Sequence, residues 1–252
     1  MGTVAALWRH PIKSHGREAL DTVTLAAGET IPWDRYWAVT HDQSKFDATN
    51  PEWVKCRNFM IGASTPALAG LWATLDTQTQ TITLRHQARG EITFQPDDPE
   101  DAARFVAWIK PICPPDSFRP TGIVSLPGRG MTDSKYPTVS IMNTASHNAV
   151  AERLGKPLEM ERWRGNIWLD GLPAWTEESW VGRDIAIGNA VLRVREPIKR
   201  CMHTAANPVT GQRDTDTLGA LRGGWDHQNF GVYAEVVTGG SINLQDLSLI
   251  HI

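Results

Sequence analysis

Long apolar runs are missing from this 252-residue chain. A membrane-crossing helix needs about 18 or more consecutive apolar residues, and no such stretch occurs. Near the start, Arg9, His10 and Lys13 interrupt what a secretory signal would keep apolar, so neither export nor a membrane partner is expected. Met1-Gly2 opens like a myristoylation motif, but Ala6 stands where that motif takes Ser or Thr. A basic surplus is missing too: 25 Lys and Arg face 28 Asp and Glu, for a formal charge of −3. Phosphate backbones are held by excess cations, so no nucleic-acid partner is expected. Cysteine is scarce, with Cys56, Cys113 and Cys201 widely spaced. That odd number suits reduced thiols and a cytoplasmic location better than a disulfide framework. The chain also has no Walker or dinucleotide glycine motif, and no four-cysteine ferredoxin motif.

What is present is an ordinary globular balance, 41% hydrophobic and 21% charged, with eleven tryptophans as the one oddity. Short β-rich runs at Val4 to Trp8, Ala19 to Leu25 and Tyr36 to Thr40 are separated by turn residues. A hairpin is expected from Leu71 to Leu84 around a polar turn at Asp76 to Gln80. Asp98, Pro99, Glu100 and Asp101 then start a helix, which Lys110-Pro111 ends. The second half opens on Gly128-Arg129-Gly130 and a strand from Thr138 to Met142. A helix follows to about Leu154, capped by Asn143, Thr144 or Ser146. Further strands are expected at Ile167 to Leu169 and Ile185 to Val194. A closing hairpin should join Phe230 to Val237 with Ser241 to Leu249 around Gly239-Gly240. The expected class is β-rich α+β with a few helices: closely spaced strands favour a small barrel or sandwich over 1–115, and a second β-rich domain follows over 116–252.

Chemistry-bearing residues gather in a few short segments. In Glu196-Pro197-Ile198-Lys199-Arg200-Cys201-Met202-His203-Thr204, Pro197 is expected to end a strand and leave Cys201 on a loop. Cations beside a thiol favour the thiolate, a soft metal ligand, although a free cysteine also packs as a small hydrophobe. Zinc would need about two ligands beyond Cys201 and His203, and no second pair at metal spacing occurs. Nucleophilic catalysis stays open without a recognisable base. Arg162 and Arg164, two apart on an extended chain, would point to one side, either as a solvated pair or as an anion clamp. Pro11-Ile12-Lys13-Ser14, Asp34-Arg35-Tyr36-Trp37 and the turn-rich Asn207 to Asp214 complete the set.

In this order, these segments resemble the MOSC family with its N-terminal β-barrel domain. Pro11 to Ser14 is similar to Pro-Val-Lys-Ser, Asp34 to Trp37 to Asp-Arg-x-Trp, and Arg162 to Ile167 to Arg-Phe-Arg-Pro-Asn-Ile. Pro197 to Thr204 resembles Pro-Cys-x-Arg-Cys-x-x-Thr, and Asn207 to Asp214 resembles Asp-Pro-x-Thr-Gly-x-Arg-Asp. Phe230 to Glu235 is similar to the family's closing strand. Ile198, Gly165 and Gln245 depart from the pattern, and the segment from Asp42 through Cys56 matches it poorly. The resemblance implies a molybdenum cofactor, a molybdopterin whose metal takes Cys201 as catalytic ligand. Lys13, Ser14, Arg35, Arg164, Asn166 and Arg200 match positions around the pterin and its phosphate, and Lys199 adjoins them. Thr144 and Ser146, at a helix start, are expected to reach the same phosphate. The implied activity is that of the amidoxime-reducing proteins: reduction of a small N-hydroxylated substrate with electrons from a separate electron-transfer protein. The alternative is a sulfur or cofactor carrier using a Cys201 persulfide. Cys56 and Cys113, outside every matched motif, are expected to be packing residues.

Overall fold

The computed structural model describes residues 1–126 and 129–250, so Gly128 of the expected glycine loop lies outside the described residues. The first half supplies β1 (Gly2–Arg9), β2 (Glu18–Leu20), β3 (Thr22–Leu25), β4 (Trp37–His41), β5 (Trp72–Asp76), β6 (Thr81–His86) and β7 (Gly90–Phe94). Helix α1 (Pro99–Ile109) and β8 (Pro120–Ser125) follow. Then come β9 (Val139–Asn143), α2 (Thr144–Leu154), β10 (Ile167–Asp170), β11 (Asp184–Ile187) and β12 (Ala190–Lys199). The chain ends on α3 (Thr217–Trp225), β13 (Asn229–Thr238), β14 (Gly240–Asn243) and β15 (Leu247–Ile250).

The protein is mostly β, as expected. Seven strands in the order β10-β9-β13-β12-β11-β15-β1 close a barrel, because β1 also pairs back onto β10. Closure leaves no open edge among these strands. Alternate residues point inward, and Val4, Leu7, Ile141, Ile167, Ile185, Leu192 and Val232 form the fully buried interior. The closing strand β1 comes from the first half, so the expected boundary near residue 115 does not divide the hydrogen bonding. On the other side of that boundary, β8 pairs with β4. The β4–β8 pair, the antiparallel β5-β6-β7 sheet and α1 enclose a second core built on Trp37, Val39, Leu75, Leu84, Phe94 and Phe105. Asp98 caps α1 by accepting from Asp101 N, and Pro99 takes the first helical position where no donor is needed.

Several expected elements are corrected. Ala19 to Leu25 is two strands: β2 pairs with β1, while β3 pairs with β14. The closing hairpin does not form, because β14 turns away to β3 and β15 joins β11 and β1. This arrangement places Val23, Leu25 and Ile242 on the barrel core. Ile185 to Val194 is a hairpin of β11 and β12. Pro197 does not end its strand. It sits where the β12–β13 register shifts and the ladder is already irregular, and β12 runs on to Lys199. Helix α3 was not anticipated, since Gly219, Gly223 and Gly224 weaken its propensity. Burial of Leu218 and Leu221 and the Asp216 side chain, which accepts from Gly219 N at 2.8 Å, hold it instead.

Candidate functional site

Both halves contribute to one open cavity of about 110 Å³. The first half brings Lys13, Ser14, Arg35, Cys56 and the Ile61–Ala63 segment, and the second brings Asp133, Arg162, Arg164, Tyr233 and the run from Ile198 to Cys201 with His203 and Thr204. Local backbone contacts fix these groups. Arg35 N donates to His10 O at 2.6 Å, and Met131 N donates to Arg35 O at 2.7 Å. Asp34, 1% exposed, accepts from His10 N at 2.7 Å and pairs with the Arg35 guanidinium. Lys13 N donates to Trp37 O at 2.8 Å, which seats the lysine against the second core. Ser14, Arg35 and Arg164 have φ of 63°, 51° and 49°, in the left-handed region that side chains rarely adopt.

The cavity is a cluster of cations. Burial, then Arg35 and Arg17, lower the Arg164 pKa to about 9. Its Nη1 donates to Gly16 O at 3.1 Å, but Nη2 is buried without a partner. Arg200 is lowered to about 10, again by burial first. Its donors are spent on Phe230 O at 2.8 Å, Trp163 O at 2.7 Å and the Met142 sulfur at 3.2 Å. Lys13 donates to Met131 O at 2.8 Å and pairs with Asp133. Burial resists charge on Asp34, but Arg35 and His10 outweigh it and hold the carboxyl far below the usual range. His203 is pushed down to about 3 by burial, then by Arg164 and Arg17, so its ring is neutral near pH 7.

Of the sequence-predicted residues, Lys13, Ser14, Arg35, Arg164, Lys199, Arg200 and Cys201 line the cavity together. Asn166 stands behind them. Its Oδ1 accepts from Ser140 Oγ at 2.7 Å and its Nδ2 donates to Trp8 O at 3.1 Å, tying β1 to the cavity floor. Thr144 and Ser146 are not among the lining residues. Thr144 bonds Asp170, and Ser146 Oγ accepts from Trp175 N at 2.7 Å. The start of α2 is instead occupied by the chain's own carboxyl, Glu177, which Asn143 Nδ2 reaches at 2.8 Å. Arg162 and Arg164 lie on a turn, not an extended strand, and the buried Arg162 is paired with Glu159 and Asp214. Gly165, where the family pattern has proline, leaves room for Met142: a Cβ there would fall 2.2 Å from the Met142 Cγ.

Sequence reasoning missed three contributions, and named His203 without its role. Cys56 lines the cavity instead of serving only as packing, whereas Cys113 packs in the first-half core as expected. Asp133 balances Lys13. His203 presses on Gly62 so closely that a Cβ at 62 would lie 1.7 Å from Nδ1, a ring nitrogen that is buried and unpartnered. The Ile61–Ala63 segment is anchored by Arg213, which donates to Ala63 O at 2.6 Å. Besides His203, which stands in the Cys201 segment, only the glycine at 62 carried a sequence signal, as a site of close backbone approach.

Comparison with known proteins agrees with this arrangement of the chain. Residues 1–110 match the MOSC N-terminal beta barrel domain and residues 131–247 the MOSC domain. The chain is 24% identical over 234 residues to mitochondrial amidoxime-reducing component 1 of Mus musculus, covering 85% of this chain and 68% of that protein. The Homo sapiens protein of the same name is 25% identical over 238 residues, covering 84% and 68%. Among solved structures, the YUAD protein of Bacillus subtilis aligns over 98% of this chain and 93% of its own, with a TM-score of 0.45 and 14% identity.

Proposed function

The chain is a MOSC-domain protein with a MOSC N-terminal β-barrel domain, and on that premise we propose that it is a molybdenum-cofactor-dependent reductase of small N-hydroxylated compounds. The observation that carries the reading is the unpartnered Arg164 Nη2, buried among other cations in the cavity that holds an exposed Cys201. A buried donor left unmatched costs roughly 1–3 kcal/mol, and a phosphate oxygen would relieve it. Among the described residues no three His, Cys, Asp or Glu side chains gather into a metal-holding group. Cys201 would therefore be one ligand of a metal whose other ligands come with the cofactor. The residues present fit such a group.

When bound, the cofactor would supply a redox-active metal suited to removing oxygen from an N-hydroxylated compound. The chain's residues bind and orient. Arg164 and Lys13 would face the anionic end, and Arg35 is fixed by Asp34, by Arg164 O, to which its Nη2 donates at 2.9 Å, and by its own clamped peptide. Arg200 contributes charge while acting as a strut, since its donors are already used. Lys199 and Ser14 close the same wall. The substrate side is the uncharged Ile61–Ala63 segment with neutral His203. Electrons would come from a separate electron-transfer protein, since no cluster or dinucleotide motif occurs in this sequence. No helix among the described residues is long and apolar enough to cross a membrane.

Protein from a molybdenum-competent host should carry near-stoichiometric molybdenum and release a fluorescent pterin on denaturation. With a strong artificial reductant, but not with NADH alone, it should reduce an amidoxime. Cys201→Ser should lower that rate by more than about 100-fold, exceeding the usual effect of altering a ligand's supporting contacts. X-ray absorption should show one sulfur neighbour fewer. Zinc or no metal, with no pterin, overturns the reading. The exposure of Cys201 also favours a second reading, a carrier that hands on a Cys201 persulfide. Cyanide-released thiocyanate from protein without reductase activity would select it.

A further inference from the structure

We propose that Cys56 and Cys201 form a redox pair, closing under peroxide to an intramolecular disulfide that takes Cys201 out of metal binding. Only this consequence rests on the reading of Cys201 as metal ligand; the pairing itself does not. Both thiols line the same cavity, from opposite halves of the fold. Cys201 is exposed and Cys56 half-exposed, so an oxidant has access, while Cys113 is buried in the first-half core. A disulfide needs Cα atoms about 4.4–6.8 Å apart. The adjustment can come from the Cys56 side. Cys56 starts a single 3-10 turn, Cys56–Asn58, that buries none of its residues and has no side-chain cap. The chain from Asp42 to Lys55 holds no strand or helix, so no ladder has to break there.

The step balances with hydrogen peroxide as oxidant. The Cys201 sulfur attacks one peroxide oxygen, the O–O bond breaks, and a sulfenic acid forms with release of one water. The Cys56 sulfur then attacks that sulfur, the S–O bond breaks, and the departing hydroxide takes the Cys56 proton to leave as a second water. Two thiols give up two electrons and two protons, and the peroxide takes both.

The test uses the full chain, metal-free and molybdenum-loaded, treated with hydrogen peroxide, alkylated and digested without reductant. The expected product is one peptide pair joining Cys56 to Cys201, a mass lower by about 2 Da, an alkylated Cys113, and full reversal by dithiothreitol. Cys113→Ser should keep the link. In Cys56→Ser, Cys201 should run on to sulfinic acid. Sulfinic acid at Cys201 of the unaltered chain with Cys56 still free, or links only between chains, overturns the pairing. In loaded protein, the link should release most of the molybdenum on desalting, and full retention overturns the masking role. A link in a chain that never takes up molybdenum leaves the pairing standing and overturns the proposed function instead.

Discussion

Ser14, Arg35 and Arg164 all hold left-handed backbone, and all three line the same cavity. Each such residue costs roughly 1–3 kcal/mol, so the site stores strain that the surrounding packing must hold. Arg164 adds a second cost, because its guanidinium is buried beside Arg35 and Arg17 with one nitrogen unpartnered. Arg164→Asn should relieve both, since asparagine tolerates this backbone region and carries no charge. The expected result is a cofactor-free protein stabilised by about 1–2 kcal/mol in urea, together with lower molybdenum occupancy. A loss of stability with occupancy unchanged would remove Arg164 from the anion site. Much of this site was legible in sequence, because Lys13, Arg35, Arg164, Arg200 and Cys201 each stand in a motif. Cys56 and Asp133 were not, because they reach the cavity through folding between distant segments. The neutrality of His203 comes from burial among arginines, which no local pattern encodes.

At the scale of single elements, the start of α2 shows where sequence reading stops. Asn143 was one of three expected caps, and its Oδ1 does accept from Ala145 N at 3.0 Å. What no spacing could show is the residue opposite. Asn143 Nδ2 also donates to Pro173 O and to Glu177, whose pKa burial raises while Asn143 and Ser146 hold it back. Asn143→Ala should therefore cost more than an ordinary cap. About 1 kcal/mol goes with the cap and roughly 1–3 more with the stranded carboxyl, so urea unfolding should report a loss of about 2–4 kcal/mol. Molybdenum occupancy should not change, and neither should it in Ser146→Ala, because this helix end serves Glu177 and not the cavity. The strands themselves were mostly legible from alternation. Their partners were not: β3 with β14, and β15 with β1, join residues more than 200 apart in sequence. Alternation fixes which face of a strand is buried, not which strand lies beside it.

For the whole molecule, the two halves are interlocked. β1 closes the second-half barrel, Arg17 of the first half donates to Pro208 O at 2.9 Å, and Arg213 of the second half reaches Ala63 O. A fragment of residues 116–252 would open β10 and β15 as unpaired edges, and calorimetry of that fragment should show no cooperative transition. The same interlock buries two histidines at the junction, His10 at 1% exposure and His15 at 0%. Burial, then Arg164, holds the His10 pKa well below 6.5 despite Asp34, and burial lowers His15 to about 4. Unfolded, both would titrate near 6.5, so between these values the unfolded chain binds more protons than the folded one. Stability therefore rises with pH across this window and falls as pH drops below about 6.5. From pH 7 to pH 5 a histidine that stays neutral in the fold loses about 2 kcal/mol, or about 4 kcal/mol for the pair. Asp34 acts later in the same direction. Its folded pKa is depressed, so its contribution is present above about pH 4 and is lost only below that. Urea midpoints at pH 7, 6 and 5 read the slope directly. His15→Gln, which keeps a donor for Lys13 O, should remove about 2 kcal/mol of the total loss, to which buried His203, held to about 3, also contributes; an unchanged slope would mean that His15 takes up its proton without unfolding.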